Sequence, residues 1–166
     1  MATPLGHSIV GYTVARAAGV HSPVAMALAV GAANLPDVDF LLGYVANGDV
    51  FSLHHEVITH KPSFPLLVGT GVGALAATAS IARGRRPRLR EIARPAALAT
   101  ALVGSHVVMD RLPVPYDNMP RRNASFWEAV ASQAWNAVLD MAVYGSMAAL
   151  LFERGERAPN GRNPDA

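Results

Sequence analysis

The sequence predicts an all-α protein, built as an up-down bundle of about five helices and embedded in a membrane. Apolar residues make up 51% of the chain and charged residues only 16%, against roughly 25% charged in an average soluble domain. Alanine-rich runs interrupted by glycine and proline are typical of helices, whereas the alternation typical of strands is scarce. A chain of 166 residues with this composition is expected to form one domain, partly dissolved in lipid.

The first two predicted helices are short. One covers residues 5–18 and ends before Gly19, and the other covers residues 22–35, with Ser22 as its N-cap and Pro23 in its first turn. At about 14 residues each, they are too short to cross a bilayer at right angles, which takes about 20 residues. They are therefore expected to be tilted or only partly inserted.

The third predicted helix covers residues 62–82, and it contains no charged residue. Its length and apolar character predict a membrane span. The small residues of its GTGVG stretch suit close packing between helices in lipid. The alternative is a buried helix of a soluble bundle.

Two more helices complete the predicted bundle. The basic loop ARGRRPRLREIAR leads to a fourth helix at residues 95–109, and a fifth, polar in its first third, covers residues 125–152. Residues 1–153 are thus predicted to form one helical membrane-associated domain, followed by a disordered polar tail at 154–166. The N-terminal MATPLGHSIV has no basic region before its apolar run, so no cleavable signal is expected.

Histidine, aspartate and asparagine side chains collect at one end of this bundle when the chain is followed through its alternating helices. The cluster comprises His7, Asp37, Asp39, His54, His55, His60, His106, Asp110, Asn136 and Asp140. His21 alone falls at the other end. Each motif has a plainer interpretation by itself, such as a solvated loop for HHEVITH or an Asp-rich turn for PDVD. Their convergence instead favours a metal cluster at one end of the bundle.

The residue types and spacings suit metal chemistry. His106 and Asp110 are four residues apart on a helix, so their side chains share one face. His55 and His60 flank a turn that can direct both rings at one point. Because the chain has no cysteine, its ligands are imidazoles and carboxylates, which suit zinc, manganese or iron(II). Asn136 is a poor metal ligand and a good helix-packing residue.

Four motifs in one order, GHSIVGY, LPDVDF, HHEVITH and SHVVMDRLPVP, resemble the YdjM-like family of membrane-bound metal-dependent hydrolases over residues 6 to about 115. That family is itself similar in ligand pattern to zinc-dependent phospholipase C. The resemblance implies one or two divalent ions, zinc before manganese or iron, held by His7, Asp37 or Asp39, His55, His60, His106 and Asp110. It also implies that Asp110 bridges two ions and that Asp140 corresponds to a last-helix carboxylate. Glu56 and Lys61 stand where the family has arginine and serine, which indicates a different substrate preference.

The leading hypothesis is metal-assisted hydrolysis of a phosphoester, carried by a lipid headgroup or another amphiphile at the membrane face. Asp37 or Asp39, whichever does not bind metal, is then the general base or the partner that orients a histidine. Arg111, Arg121 and Arg122 are expected to bind the phosphate, unless they are ordinary interfacial arginines. Two alternatives remain: a non-catalytic membrane protein with a structural or transported ion, and a soluble bundle with an accidental histidine cluster.

Arginine placement predicts the orientation in the membrane. The end opposite the cluster carries Arg16, Arg83, Arg85, Arg86, Arg88, Arg90, Arg94, Arg154, Arg157 and Arg162, and the cluster's end carries Lys61, Arg111, Arg121 and Arg122. The positive-inside rule then predicts a multi-pass inner-membrane protein with its metal cluster outside the cytoplasm. RGRRPRLR alternatively forms a patch for anionic lipid, and without interleaved aromatic residues it does not predict specific nucleic-acid binding.

Overall fold

The computed structural model describes residues 2–49, 52–53, 57–112 and 125–156, and every regular element in these ranges is a helix. The α-helices are α1 (Pro4–Ala17), α2 (Pro23–Ala33), α3 (Val38–Asn47), α4 (Ser63–Ala82), α5 (Leu89–Arg111), α6 (Phe126–Asp140) and α7 (Ser146–Glu156). Two 3-10 turns, Leu35–Asp37 and Ile58–His60, precede α3 and α4, and a π-helical turn, Met141–Gly145, joins α6 to α7. The predicted all-α class is confirmed.

Within the described ranges, three segments are long and apolar enough to cross a membrane: Ser63–Ala82, Leu89–Arg111 and Val130–Phe152. Pro23–Ala33 and Leu35–Asn47 form a fourth if they make one span, which is then bent by 57°. The short second helix of the prediction is thus continued by α3 beyond a bend. The predicted fold class, an all-helical bundle embedded in a membrane, is therefore confirmed.

Small residues bring these helices close together. α4 lies against α5 through Gly69 and Gly73, and a Cβ on Gly69 would collide with the Thr100 hydroxyl. Likewise, a Cβ on Gly11 in α1 would lie 2.5 Å from the Cβ of Ala33 in α2. Close backbone approach provides van der Waals attraction where lipid removes the hydrophobic drive between helices. α5 occupies the centre of the bundle, packed against α1, α2 and α4.

α3 differs from the prediction, which ended the second helix at residue 35 and placed no helix directly after it. Pro36 lies in the 3-10 turn that leads into α3. Because proline lacks an N–H and fixes φ, it ends one helix but fits the first turn of the next. Asp37 and Asp39 thereby lie at the start of a helix, where unpaired N–H groups favour carboxylates.

The last helices also differ in their bounds. α5 begins at Leu89 rather than at residue 95, because Glu91 caps the backbone N–H of Arg88 and Pro95 is accommodated within the helix. The predicted fifth helix is interrupted by the π turn, which the sequence pattern did not predict. α7 extends to Glu156, into the predicted tail, and residues 157–166 lie outside the described part of the chain.

Candidate metal centre

Four titratable side chains, which we call the metal group, converge where three segments of the bundle meet. Asp37 comes from the turn before α3 and His60 from the turn before α4. His106 and Asp110 come from the last turns of α5. One ligand atom of each residue lies within 4.8 Å of the ligand atoms of the other three. The predicted cluster at one end of the bundle is therefore present.

The distances within the metal group are those of ligands around one ion. His106 Nε2 lies 3.1 Å from Asp110 Oδ2 and 3.3 Å from Asp37 Oδ1. His60 Nε2 lies 3.2 Å from the same Asp110 oxygen and 3.3 Å from His106 Nε2. Ligands placed about 2.0–2.1 Å from a tetrahedral zinc ion are about 3.3 Å apart. The metal group therefore fits a small divalent ion.

Each histidine of the metal group is fixed through its other ring nitrogen. His60 Nδ1 lies 2.8 Å from Asp39 Oδ2, which also accepts a hydrogen bond from the Thr59 hydroxyl at 3.2 Å. His106 Nδ1 lies 2.8 Å from the carbonyl oxygen of Ala33, at the end of α2. A neutral ring that donates through Nδ1 presents a lone pair at Nε2, the tautomer that binds metal through Nε2. These contacts orient both rings toward the same point.

His7 extends the site on the other side of Asp110. Its Nε2 lies 3.3 Å from Asp110 Oδ1, and its ring stacks on that of His106 with centroids 3.6 Å apart. Among the described residues, neither ring nitrogen of His7 has a hydrogen-bond partner, although the residue is only 1% exposed. Asp110 therefore directs Oδ2 toward His60 and His106, and Oδ1 toward His7.

Buried carboxylate oxygens at the site are incompletely satisfied. Oδ2 of Asp37 has no hydrogen-bond partner among the residues that the structure describes, and the oxygens of Asp110 face the Nε2 atoms of His7, His60 and His106 at 3.1–3.3 Å. A buried carboxylate is costly unless it is paired or binds a metal, and more so beside a membrane core. A divalent cation would satisfy these oxygens and the facing Nε2 atoms together. The residues present thus fit a bound metal.

The charge of His60 depends on the carboxylates beside it. Burial lowers the pKa of His60, but hydrogen bonds to Asp110 and Asp39 outweigh burial and raise that pKa to about 9. Without a metal ion, His60 is therefore a cation at neutral pH and forms ion pairs with both carboxylates. A metal ion must displace this proton, because only the neutral ring binds it.

The structure brings together only part of the predicted site. Asp39 is not in the metal group, and its contact with Nδ1 of His60 is the orienting arrangement that the sequence allowed. Arg111 donates from Nη2 to the carbonyl oxygen of His60 at 3.5 Å. Asp140 accepts hydrogen bonds from Thr3 and is not in the metal group. Four further predicted residues lie outside the described part of the chain: His54, His55, Arg121 and Arg122.

Three contributions were not predicted from the sequence: the Thr59 hydroxyl, the Ala33 carbonyl and the contact of Thr3 with Asp140. The role of Ala33 could not be predicted, because every residue has a backbone carbonyl and the residue type does not indicate which carbonyl accepts a hydrogen bond. Thr3 did have one, because a threonine directly before a proline is typical of a helix N-cap, and Thr3 caps α1.

The larger, N-terminal part of the chain matches a known family. Residues 1–116 match the family described as YdjM inner membrane protein. The matched range includes His7 and the whole metal group. No curated protein and no solved structure matches the chain.

Proposed function

The chain belongs to the YdjM inner membrane protein family, and we propose that it is a metal-dependent hydrolase acting on a phosphoester or related amphiphile at the membrane. The metal group carries the proposal: its ligand atoms lie within 4.8 Å of one another, and both of its histidines are held through Nδ1. Two imidazoles with two carboxylates suit zinc, and manganese or iron as alternatives. A bound divalent ion would supply Lewis-acid activation of water and neutralise charge on a phosphoryl group.

The chain's own side chains have distinct roles in this proposal. The ion would be held by Asp37, His60, His106 and Asp110. Asp39 keeps the ring of His60 in the binding orientation, as a carboxylate behind a metal-binding histidine does elsewhere. Oδ2 of Asp37 is buried without a hydrogen-bond partner among the described residues, and we assign it as the acceptor for a proton from the attacking water. Asp39, the other candidate base, is already engaged by His60.

Arg111 supports a phosphoester as the substrate. It is the last residue of α5, next to Asp110, and it reaches the backbone of His60. A guanidinium has five N–H donors, so one long hydrogen bond to a carbonyl leaves donors for phosphoryl oxygens. We assign Arg121 and Arg122 the same role from the sequence alone. Because the site lies at the end of candidate spans, an amphiphile can keep its apolar part in lipid.

A second ion is part of the proposal because of His7. Its Nε2 and Oδ1 of Asp110 lie 3.3 Å apart, on the side of Asp110 that faces away from His60. A carboxylate with one oxygen toward each of two ions is the usual bridge in two-metal hydrolases. Asp110 would accordingly be the residue shared by the two ions, and His7 would be a ligand of the second ion.

A non-catalytic ion is the second candidate, and one observation favours it. Four protein ligands already complete a tetrahedron, which is typical of structural zinc sites, whereas catalytic zinc sites keep a position open for water. In this alternative, the ion stabilises the contact of α5 with the two turns that precede α3 and α4, or it is transported by the protein. Metal-dependent turnover separates it from the hydrolase.

We propose that the metal group faces away from the cytoplasm. The turn between α4 and α5 lies at the opposite end of both helices and exposes Arg83, Arg85, Arg86 and Arg88. Basic residues next to membrane spans favour the cytoplasmic side, where they also meet anionic lipid.

Metal content and hydrolysis, measured on the same purified protein, test the proposal. We expect about one or two equivalents of zinc, manganese or iron in the wild type, and loss of the metal in Asp110→Ala and His60→Ala. His21→Ala is the matched control, because it removes a histidine at the opposite end of the bundle, and it should keep the metal. Phosphomonoesters, phosphodiesters and phospholipids are then assayed with each protein.

The outcomes separate the two candidates. Turnover that depends on added metal and disappears in both site variants supports the hydrolase. Bound metal without turnover of any phosphoester supports the structural or transported ion. A wild type that binds no divalent metal, and is indifferent to both substitutions, overturns both.

A further inference from the structure

We propose that Asp140 is a positioning residue for the metal site: it holds the first turn of α1, and through that turn it places His7 against Asp110. The effect on metal binding rests on the proposed function, whereas the placement of His7 does not. Asp140 is the last residue of α6, lies within the candidate span Val130–Phe152, and is 0% exposed. An ionisable residue buried in a span is costly, so a specific partner is expected.

The partner of Asp140 is the N-cap of α1. The backbone N–H and the hydroxyl of Thr3 both donate to Oδ2 of Asp140, each at 2.6 Å. The Thr3 hydroxyl also accepts from the N–H of Gly6 at 3.4 Å, which caps the helix. The first N–H groups of a helix lack partners within it and carry partial positive charge. Because α1 has no acidic residue in its own first turn, Asp140 supplies the favourable charge from another helix.

Gly6 permits this contact. A Cβ on Gly6 would lie 2.6 Å from Oδ2 and 2.9 Å from Cγ of Asp140. Any larger residue at this position would therefore displace either the carboxylate or the first turn of α1. The glycine and the carboxylate are complementary, although they are far apart in the chain.

The hydrogen-bonded turn that starts at Thr3 carries the effect to His7. The N–H of His7 donates to the carbonyl oxygen of Thr3 at 3.0 Å, so both residues belong to the same turn of α1. In the described part of the chain, neither nitrogen of the His7 ring has a hydrogen-bond partner that fixes it, unlike Nδ1 of His60 and His106. The position of the His7 ring therefore depends on the backbone of α1, on stacking against His106 and on the contact of its Nε2 with Asp110 Oδ1 at 3.3 Å.

Direct metal binding by Asp140 is the rival interpretation. Against it, Oδ2 already accepts two short hydrogen bonds from Thr3, and Asp140 is not in the metal group. The π turn Met141–Gly145 begins directly after Asp140 and packs against α1. Such a turn shifts the register of the following residues and is frequent at functional sites. Here it accompanies the contact between α6 and the start of α1.

Histidine footprinting of the metal-free protein tests the placement. Diethyl pyrocarbonate acylates accessible imidazoles, and peptide mass spectrometry reports each histidine separately. In the wild type, we expect His7 and His106 to be protected and the exposed His21 to react. In Asp140→Ala and Gly6→Ala, we expect His7 to react roughly tenfold faster, because the first turn of α1 opens locally, while His106 stays protected.

Cobalt(II) binding tests the consequence for the metal site. Asp140→Ala and Gly6→Ala should weaken Co²⁺ binding by about 10- to 100-fold, and His7→Ala should weaken it to the same extent. Combining either with His7→Ala should cause no further loss, because both changes act through the same ring. Two controls should behave as the wild type: Thr3→Ser, which keeps the hydroxyl, and Gly71→Ala, whose added Cβ meets nothing within 4 Å.

The results distinguish failure of the positioning role from failure of the proposed function. Continued protection of His7 in Asp140→Ala and Gly6→Ala overturns the positioning role. The role is also overturned if His106 becomes as reactive as His7 in these variants, because that result indicates a general loss of structure. A further loss of Co²⁺ binding when Asp140→Ala is added to His7→Ala would instead make Asp140 a ligand. A wild type that binds no Co²⁺ overturns the proposed function. The reactivity of His7 toward diethyl pyrocarbonate then tests by itself whether Asp140 positions His7. If Asp140→Ala does not fold, Gly6→Ala and Thr3→Val give the same comparison.

Discussion

His60 and Asp39 form a buried pair, with Nδ1 of the ring 2.8 Å from Oδ2 of the carboxylate and side chains 3% and 0% exposed. This pair decides which nitrogen of His60 is available to a ligand. Nε2 is left facing Asp110 Oδ2 at 3.2 Å. Two aspartates that are two positions apart therefore differ in role, since Asp37 lies in the metal group and Asp39 lies behind one of its histidines.

The first prediction concerns this pair. Asp39→Asn should lower the affinity for Zn²⁺ or Co²⁺ by about 10- to 100-fold, the usual effect of removing a carboxylate behind a metal-binding histidine. The number of ions bound at saturation should not change, because the ligands remain. Competition with a chromophoric chelator measures both quantities. Glu91→Gln, which neutralises a carboxylate at the opposite end, is the control, and a lost ion in Asp39→Asn would show that Asp39 is itself a ligand.

The second prediction is that metal affinity rises with pH. The pKa of His60 without metal is raised to about 9, so a metal ion has to displace a proton at any lower pH. We expect at least about a tenfold gain in affinity per pH unit between pH 6.5 and 8.5, measured with Co²⁺ by competition at fixed ionic strength. A flat profile would mean that His60 is already neutral in the metal-free protein.

The third prediction concerns the stability of the metal-free protein. The pKa of folded His60 lies above the ordinary value of 6.5, so the ion pairs stabilise the fold fully below pH 6.5, and this contribution disappears as pH rises through about 9. With a chelator present, thermal unfolding should therefore occur at lower temperature at pH 9 than at pH 6.5. His60→Gln should remove this part of the pH dependence. An identical pH profile in the variant would contradict the assignment.

The sequence placed the site residues at one end because each motif borders a helix end that glycine or proline marks. It could not separate the roles of Asp37 and Asp39, because residues two apart point in different directions and their directions follow from α3. That helix was not predicted, since Pro36 suits the end of one helix as well as the start of another. The Thr3–Asp140 contact joins positions 137 apart. Such a contact follows from packing, which a local pattern does not contain.

The fourth prediction concerns the contact between α4 and α5. Gly69→Ala places a Cβ against both the Thr100 hydroxyl and the Ala96 carbonyl oxygen, 2.8 Å away. Because backbone has to move, we expect a loss of about 1–3 kcal/mol in the free energy of unfolding. Gly71→Ala is the control on the same helix, since its Cβ enters open space. Unfolding in mixed micelles with increasing denaturing detergent measures both variants, and equal stability would contradict the close packing.

The fifth prediction concerns the side of the membrane that the metal group faces. The chain has no cysteine, so Lys61→Cys and Arg86→Cys each introduce one thiol at an exposed position, the first next to His60 and the second in the basic turn. If the basic turn is cytoplasmic, a membrane-impermeant maleimide should label Cys at 61 in intact spheroplasts and Cys at 86 only after lysis. The reverse pattern would place the metal group in the cytoplasm, and the substrate would then be sought among cytoplasmic phosphoesters. Labelling of both positions before lysis would mean that the intervening helix α4 does not cross the membrane, which would remove the support for a site at a membrane face.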